Sequence, residues 1–219
     1  MEILPLGDSA LLVRLSGMEP LHALERLRAG ELSGVVEMTS AYQSIALFCD
    51  AEGVASFEQL TAQVQQLLSA PGKKKTRRAA PRVVEIPVCY EAGFALDLGH
   101  VAQHCGLRVE EVIGRHTSPI YGVSCIGFTP GFPYLSGLPA ELATPRRAMP
   151  RHEVPAGSVA IGGAQTGIYP QKSPGGWKVI GRTPLRLFDV AREQPSLLAA
   201  GDQVKFVRIN REEFEALCR

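Results

Sequence analysis

One stretch, Gly127 to Thr183, limits what the whole chain can fold into. It reads GFTPGFPYLSGLP (Gly127–Pro139), TPRRAMPR (Thr144–Arg151), VPAGSVAIGGAQTGIYP (Val154–Pro170) and SPGGWKVIGRTP (Ser173–Pro184). Glycine and proline make up roughly a third of it, against about 12% in an average protein. Apolar runs such as Val159–Ile161 and Val179–Ile180 stand between the turns, as short strands would. Proline fixes φ at about −65°, and glycine admits positive φ and close backbone approach. The combination specifies a rigid loop surface on a β-scaffold, where binding residues concentrate. The plainer reading is a turn-rich barrel whose loops do nothing but close strands.

The chain before this stretch falls into two parts. Residues 1–70 read as a small α+β domain. Strands are expected at Ile3–Leu6 and Ala10–Leu15, around the Gly7-Asp8 turn. Leu21, Leu24 and Leu27 recur at helical spacing up to Gly30. Val35–Thr39 and Ser44–Phe48 form a hairpin with Tyr42 and Gln43 at its tip. Ser56 and Gln59 are spaced as a capping box ahead of a helix carrying Leu60, Val64 and Leu68. Residues 71–81, PGKKKTRRAAP, hold five basic residues among small residues and prolines. A phosphate patch and a solvated connector are the two readings; with no apolar face, the connector is preferred, and proteases should cut between Lys73 and Arg78.

Residues 82–219 form the second domain. Val83–Tyr90 reads as a strand, and Pro87 in it points to an edge or a bulge. Asp97 is placed to cap a helix that Gly106 ends, and a second helix runs near Glu110–His116. Strands are expected at Pro119–Ile126, Leu185–Val190 and Gln203–Ile209, then a short helix with Phe214 and Leu217. Helices first and many short strands later predict a β-barrel with helices packed at its ends.

A formal net charge of +1 over 219 residues gives no general attraction to nucleic acid or anionic membrane. No apolar run approaches the roughly 20 residues of a membrane span. Asp8 and Arg14 interrupt the opening segment, so no signal peptide is read and a cytoplasmic location is expected. The five cysteines are widely spaced without a C-x-x-C pair, which fits reduced thiols.

The candidate chemistry is cationic and hydrogen-bonding. There is no P-loop and no G-x-S-x-G elbow. His100 and His104 lack the pattern of a metal site. Glu141 and Glu153 are the sole carboxylates in Gly127–Thr183, so no metal and no catalytic residue is assigned. Arg146, Arg147, Arg151, Lys172, Lys178 and Arg182 interleave with Gln165, Thr166, Tyr169, Ser173 and Thr183. Arginine suits carboxylate or phosphate recognition. Arg151, Gln165, Tyr169, Trp177, Arg182 and Thr183 are therefore the candidates for substrate binding. Phe128, Phe132, Tyr134 and Trp177 can supply an apolar wall or fill the barrel core. Pro130, Phe132, Gly175 and Gly176 are assigned to the pocket wall or a partner-facing surface. Trp177, between Gly175-Gly176 and Lys178, is expected at the barrel mouth, partly exposed.

The motifs GFTPGFPYLSGLP, TPRRAMPR, VPAGSVAIGG, QTGIYP, SPGGW and IGRTP resemble the signatures of the 5-oxoprolinase B-subunit family. This family is also called the KipI-type sporulation-kinase-inhibitor or allophanate hydrolase subunit 1 family. The resemblance extends to GDSALLVRLS, IPVCYE, DLGHVAQHCGL and HTSPIYGV, and so to nearly the whole chain. It implies a small α+β N-terminal domain and a cyclophilin-like C-terminal β-barrel. It further implies joint action with the A and C subunits of 5-oxoprolinase in the ATP-dependent opening of 5-oxo-L-proline to L-glutamate. ATP and Mg²⁺ would be used through the complex, with carboxylate ligands drawn from the C subunit. Relatives of this kind also inhibit a histidine kinase or serve as carboxyltransferase modules of urea carboxylase and allophanate systems.

Overall fold

The computed structural model describes residues 1–50, 56–70 and 80–218. The expected basic connector at 71–81 lies almost wholly outside the described residues. The chain divides into two compact units, Met1–Ala80 and Pro81–Arg219.

In the first unit the elements run β1 (Glu2–Pro5), β2 (Ala10–Arg14), α1 (Pro20–Ala29), β3 (Val35–Ala41), β4 (Ser44–Cys49) and α2 (Phe57–Ser69). The strands form one antiparallel sheet in the order β1-β2-β4-β3. Alternation along β2 and β4 puts Leu11, Val13, Ile45 and Leu47 on the face covered by Leu24, Leu27, Leu60 and Val64 of the helices. Burying each such side chain contributes roughly 1.5–3 kcal/mol. Proline at the first position of α1 costs no hydrogen bond, and the Glu19 carboxylate accepts from the N–H groups of Leu21 and His22. Ser56 caps α2 by accepting from Glu58 and Gln59, which is one half of the expected capping box.

The second unit contains β5 (Val83–Cys89), α3 (Leu98–Cys105), α4 (Val109–Thr117), β6 (Tyr121–Ile126) and β7 (Pro133–Ser136). After a short 3₁₀ turn at Ala140–Leu142 come β8 (Arg151–Val154), β9 (Ser158–Gly162), β10 (Gln165–Ile168), β11 (Ser173–Gly175), β12 (Lys178–Arg182), β13 (Gln203–Ile209) and α5 (Arg211–Leu217). Seven strands close a barrel in the order β10-β7-β6-β13-β5-β12-β9, while β8 and β11 pair as a separate ribbon. The α+β mixture and the barrel with helices agree with the expected class.

Two local expectations are corrected. Pro87 is not on an edge: β5 lies inside the closed barrel, with a full parallel ladder to β13. Its other flank pairs with β12 only at Cys89–Arg182, so a missing N–H there costs little. Leu185–Val190 is not a strand. It is held by the Leu197 N–H on the Leu187 carbonyl and by one isolated bridge, Phe188–Ser196.

The barrel core packs Ile86, Val88, Tyr121, Leu135, Ile161, Ile180 and Phe206 against Val101, Val112 and Ile113 of the helices. His116 is fully buried in it, stacked on Phe206 with ring centroids 4.6 Å apart. Thr166 Oγ1 donates to the Ala160 carbonyl at 3.0 Å, so it must accept from His116 Nε2 at 3.1 Å. That leaves His116 Nδ1 to accept from the Tyr90 hydroxyl at 2.9 Å. The network fits a neutral ring, and burial pushes its pKa down to about 3. No helix among the described residues is long and apolar enough to cross a membrane.

Candidate functional site

Three segments of the glycine- and proline-rich stretch converge on one pocket. The first is the connection from β6 to β7. The Thr129 N–H donates to the Gly127 carbonyl at 2.9 Å across Phe128, whose φ is 69°. A three-residue turn of this hand is rare and strained for a residue with a side chain. The Gly127 N–H closes the loop on the Phe132 carbonyl at 3.1 Å. The result throws Phe128 outward, 62% exposed, with its ring edge-on to Phe132 at 5.6 Å.

The floor is aromatic. Phe132 sits 4.9 Å from Tyr134, 5.3 Å from Tyr169 and 5.5 Å from Trp177 between ring centroids. Edge-on and tilted contacts of this kind each add about 0.5–1.5 kcal/mol beyond burial. Two glycines let the rings settle. A Cβ at Gly162 would lie 2.5 Å from the Trp177 ring, and one at Gly175 would lie 2.3 Å from the Tyr169 hydroxyl.

The remaining wall is the segment before β8, and Asp97 fixes it. The Asp97 carboxylate is buried and takes both guanidinium nitrogens of Arg151, at 2.7 and 2.9 Å. It also accepts from Arg147 at 3.1 Å and from the Val179 N–H at 2.8 Å. Burial alone would raise its pKa; the hydrogen bonds from Arg151 and Val179 and the charges of Arg151 and Arg147 outweigh it and hold it low. Asp97 occupies the N-cap position of α3 without capping it, contrary to expectation, because its carboxylate serves this clamp instead. The Arg147 N–H also donates to the Gly176 carbonyl at 2.7 Å, tying the wall to the link between β11 and β12.

These segments enclose a pocket of about 220 Å³ lined by Phe128, Phe132, Tyr134, Arg146, Pro150, Tyr169, Pro174, Gly175, Gly176 and Trp177. Among the residues proposed from sequence it gathers Phe132, Tyr169, Gly175, Gly176 and Trp177, together with the wall candidates Phe128 and Tyr134. The others do not line it. Pro130 is exposed on the Phe128 loop. Arg151 is engaged by Asp97. Arg182 donates to the Ala156 carbonyl at 2.8 Å and lies over Phe214. Thr183 is buried and its hydroxyl accepts from the Leu185 N–H. Gln165 opens β10 opposite Gly162.

Trp177 requires a correction. It is 5% exposed in the free chain and belongs to the cluster of Phe132, Val154, Ala160, Tyr169 and Val179. It still lines the pocket, and the bare Cα of Gly162 leaves room for its ring. Sequence reading also missed Asp97, Pro150 and Pro174. Asp97 stands 50 positions from Arg147 and 54 from Arg151, so no local signal marked it. Among the described residues no three His, Cys, Asp or Glu side chains gather as a metal site.

Comparison with known proteins gives a consistent assignment. The carboxyltransferase domain family, subdomain C and D, matches residues 1–198. A curated B subunit of 5-oxoprolinase from Bacillus subtilis is 40% identical over 98% of this chain and 95% of its own. A second from Haemophilus influenzae is 43% identical over 94% of this chain and 97% of its own. Among solved structures, TTHA0988 superposes with a TM-score of 0.76 at 35% identity over 92% of this chain, which spans 40% of that longer chain.

Proposed function

Because the chain belongs to the 5-oxoprolinase B-subunit family, we propose that its aromatic pocket receives 5-oxo-L-proline in an ATP-dependent ring-opening complex with the A and C subunits. The observation that carries this reading is the full-length likeness to two curated B subunits, joined to a pocket of about 220 Å³. Drug-sized ligands occupy roughly 300–1,000 Å³. A smaller, aromatic-walled space suits one small ring. The barrel unit would serve as a cyclophilin-like support for that pocket.

The same pocket does not fit a Mg²⁺-bound nucleotide. Its lining has one cation and no carboxylate, whereas a hard divalent ion needs oxygen ligands and a triphosphate needs several cations. ATP would therefore be held outside this pocket. The work of this chain would be to bind and orient the lactam and keep water from its faces.

A second reading follows from the family description, a carboxyltransferase module. One reconstitution separates the two. The purified chain is mixed with the A and C subunits, and ATP hydrolysis is followed with and without 5-oxo-L-proline. The proposal expects lactam-dependent turnover with release of L-glutamate only in the full mixture. Turnover by this chain alone, or carboxyl transfer from a biotinylated carrier without lactam opening, would contradict it.

A further inference from the structure

Arg146 is the one cation lining the aromatic pocket, and no carboxylate among the described residues pairs with it. Its neighbour Arg147 is bound to Asp97, as is Arg151. Lys172 pairs with Glu153 at 2.6 Å. Lys178, the first residue of β12, is buried and is not among the residues lining the pocket. Arg146 instead lies over the Trp177 ring, its guanidinium carbon 5.6 Å from the centroid. Tyr134 and Tyr169 line the same pocket, so the guanidinium and two tyrosine side chains border one space. A cation–π contact with the indole face leaves the guanidinium N–H donors free for a ligand. A five-donor fork held at the lip of a small apolar pocket is suited to a carboxylate attached to a ring.

Resting on the reading of this pocket as the lactam site, we propose that Arg146 binds the carboxylate of 5-oxo-L-proline and sets the preference for it over an uncharged lactam. The ring then lies against Phe132, Tyr134 and Trp177, and the carboxylate meets Arg146 at the mouth. Arg147 and Arg151 act as positioning residues: through Asp97 they hold the segment that carries Arg146.

The test uses the reconstituted complex without ATP and titration calorimetry with two probes, 5-oxo-L-proline and 2-pyrrolidinone, the same ring without the carboxylate. Arg146→Gln should weaken 5-oxo-L-proline binding by about tenfold or more, as loss of a charge-assisted contact allows. Binding of 2-pyrrolidinone should not change. Arg146→Lys should restore only part of the loss, since the fork is gone. Arg146 is exposed, so the variants should melt with the wild type. Equal weakening of both probes would reduce Arg146 to a prop for Trp177 and overturn the proposal, as would no change in either. Gly176→Val, which fills the pocket, tells the two levels apart. If it blocks 5-oxo-L-proline while Arg146→Gln does nothing, the pocket stands and the carboxylate assignment falls. If neither variant affects binding, the pocket reading falls with it.

Discussion

His116 shows how burial decides the state of a single group. Its folded pKa of about 3 lies below its ordinary value of 6.5, so the unfolded chain binds a proton that the folded chain refuses. Stability should hold above pH 6.5 and fall as pH drops toward 3, by about 1.4 kcal/mol per pH unit from this residue. Denaturant titrations from pH 7 to 4 read the slope directly. His116→Gln should flatten it by one proton, whatever its absolute stability; an unchanged slope would place the titration elsewhere. Asp97 makes the complementary case, a buried charge kept ionised by its partners. Asp97→Asn keeps the shape but leaves Arg147 and Arg151 without their anion. The expected cost is about 2 kcal/mol or more, less than the full 3–5 of a wholly buried pair because both arginines are partly exposed. In a chain of this size that lowers the melting temperature by roughly 5 °C or more. An unshifted melt would mean the clamp contributes little.

At the scale of elements, the close contact of β9 with the aromatic floor is the most constrained feature. Gly162→Ala would place a methyl 2.5 Å from the rigid indole of Trp177, with no flexible side chain to yield. The ring must move outward, so the variant should melt earlier and its tryptophan emission should shift to the red; unchanged emission would show that β9 gives way instead. Local patterns had marked most elements: alternation placed β2 and β4, and β13 matches its expected span of Gln203–Ile209. The glycine- and proline-rich stretch was visible as a site because turn chemistry is local. What could not be read is what depends on contacts between distant segments. No spacing distinguishes Arg146 from Arg147, yet Asp97 neutralises one and leaves the other at the pocket. The positive φ of Phe128 is likewise imposed by the Gly127–Phe132 closure, since nothing in a phenylalanine favours it.

At the scale of the whole molecule, the second unit carries the candidate site entirely within itself. We propose that this pocket receives 5-oxo-L-proline in the assembled enzyme. Gly176 offers the cleanest probe, because a Cβ there meets only Pro150, at 3.7 Å, and the Arg147 carbonyl, at 3.9 Å, both ordinary contacts. A valine should narrow the space without disturbing the aromatic floor. The decisive measurement is the KM of the reconstituted Gly176→Val complex for 5-oxo-L-proline and for ATP, with assembly checked by size-exclusion chromatography and folding by the melt. The expected result is normal assembly and melting, an unchanged KM for ATP, and a KM for 5-oxo-L-proline raised about tenfold or more, as loss of one small ring's packing allows. An assembled, folded complex with both constants at their wild-type values would contradict it.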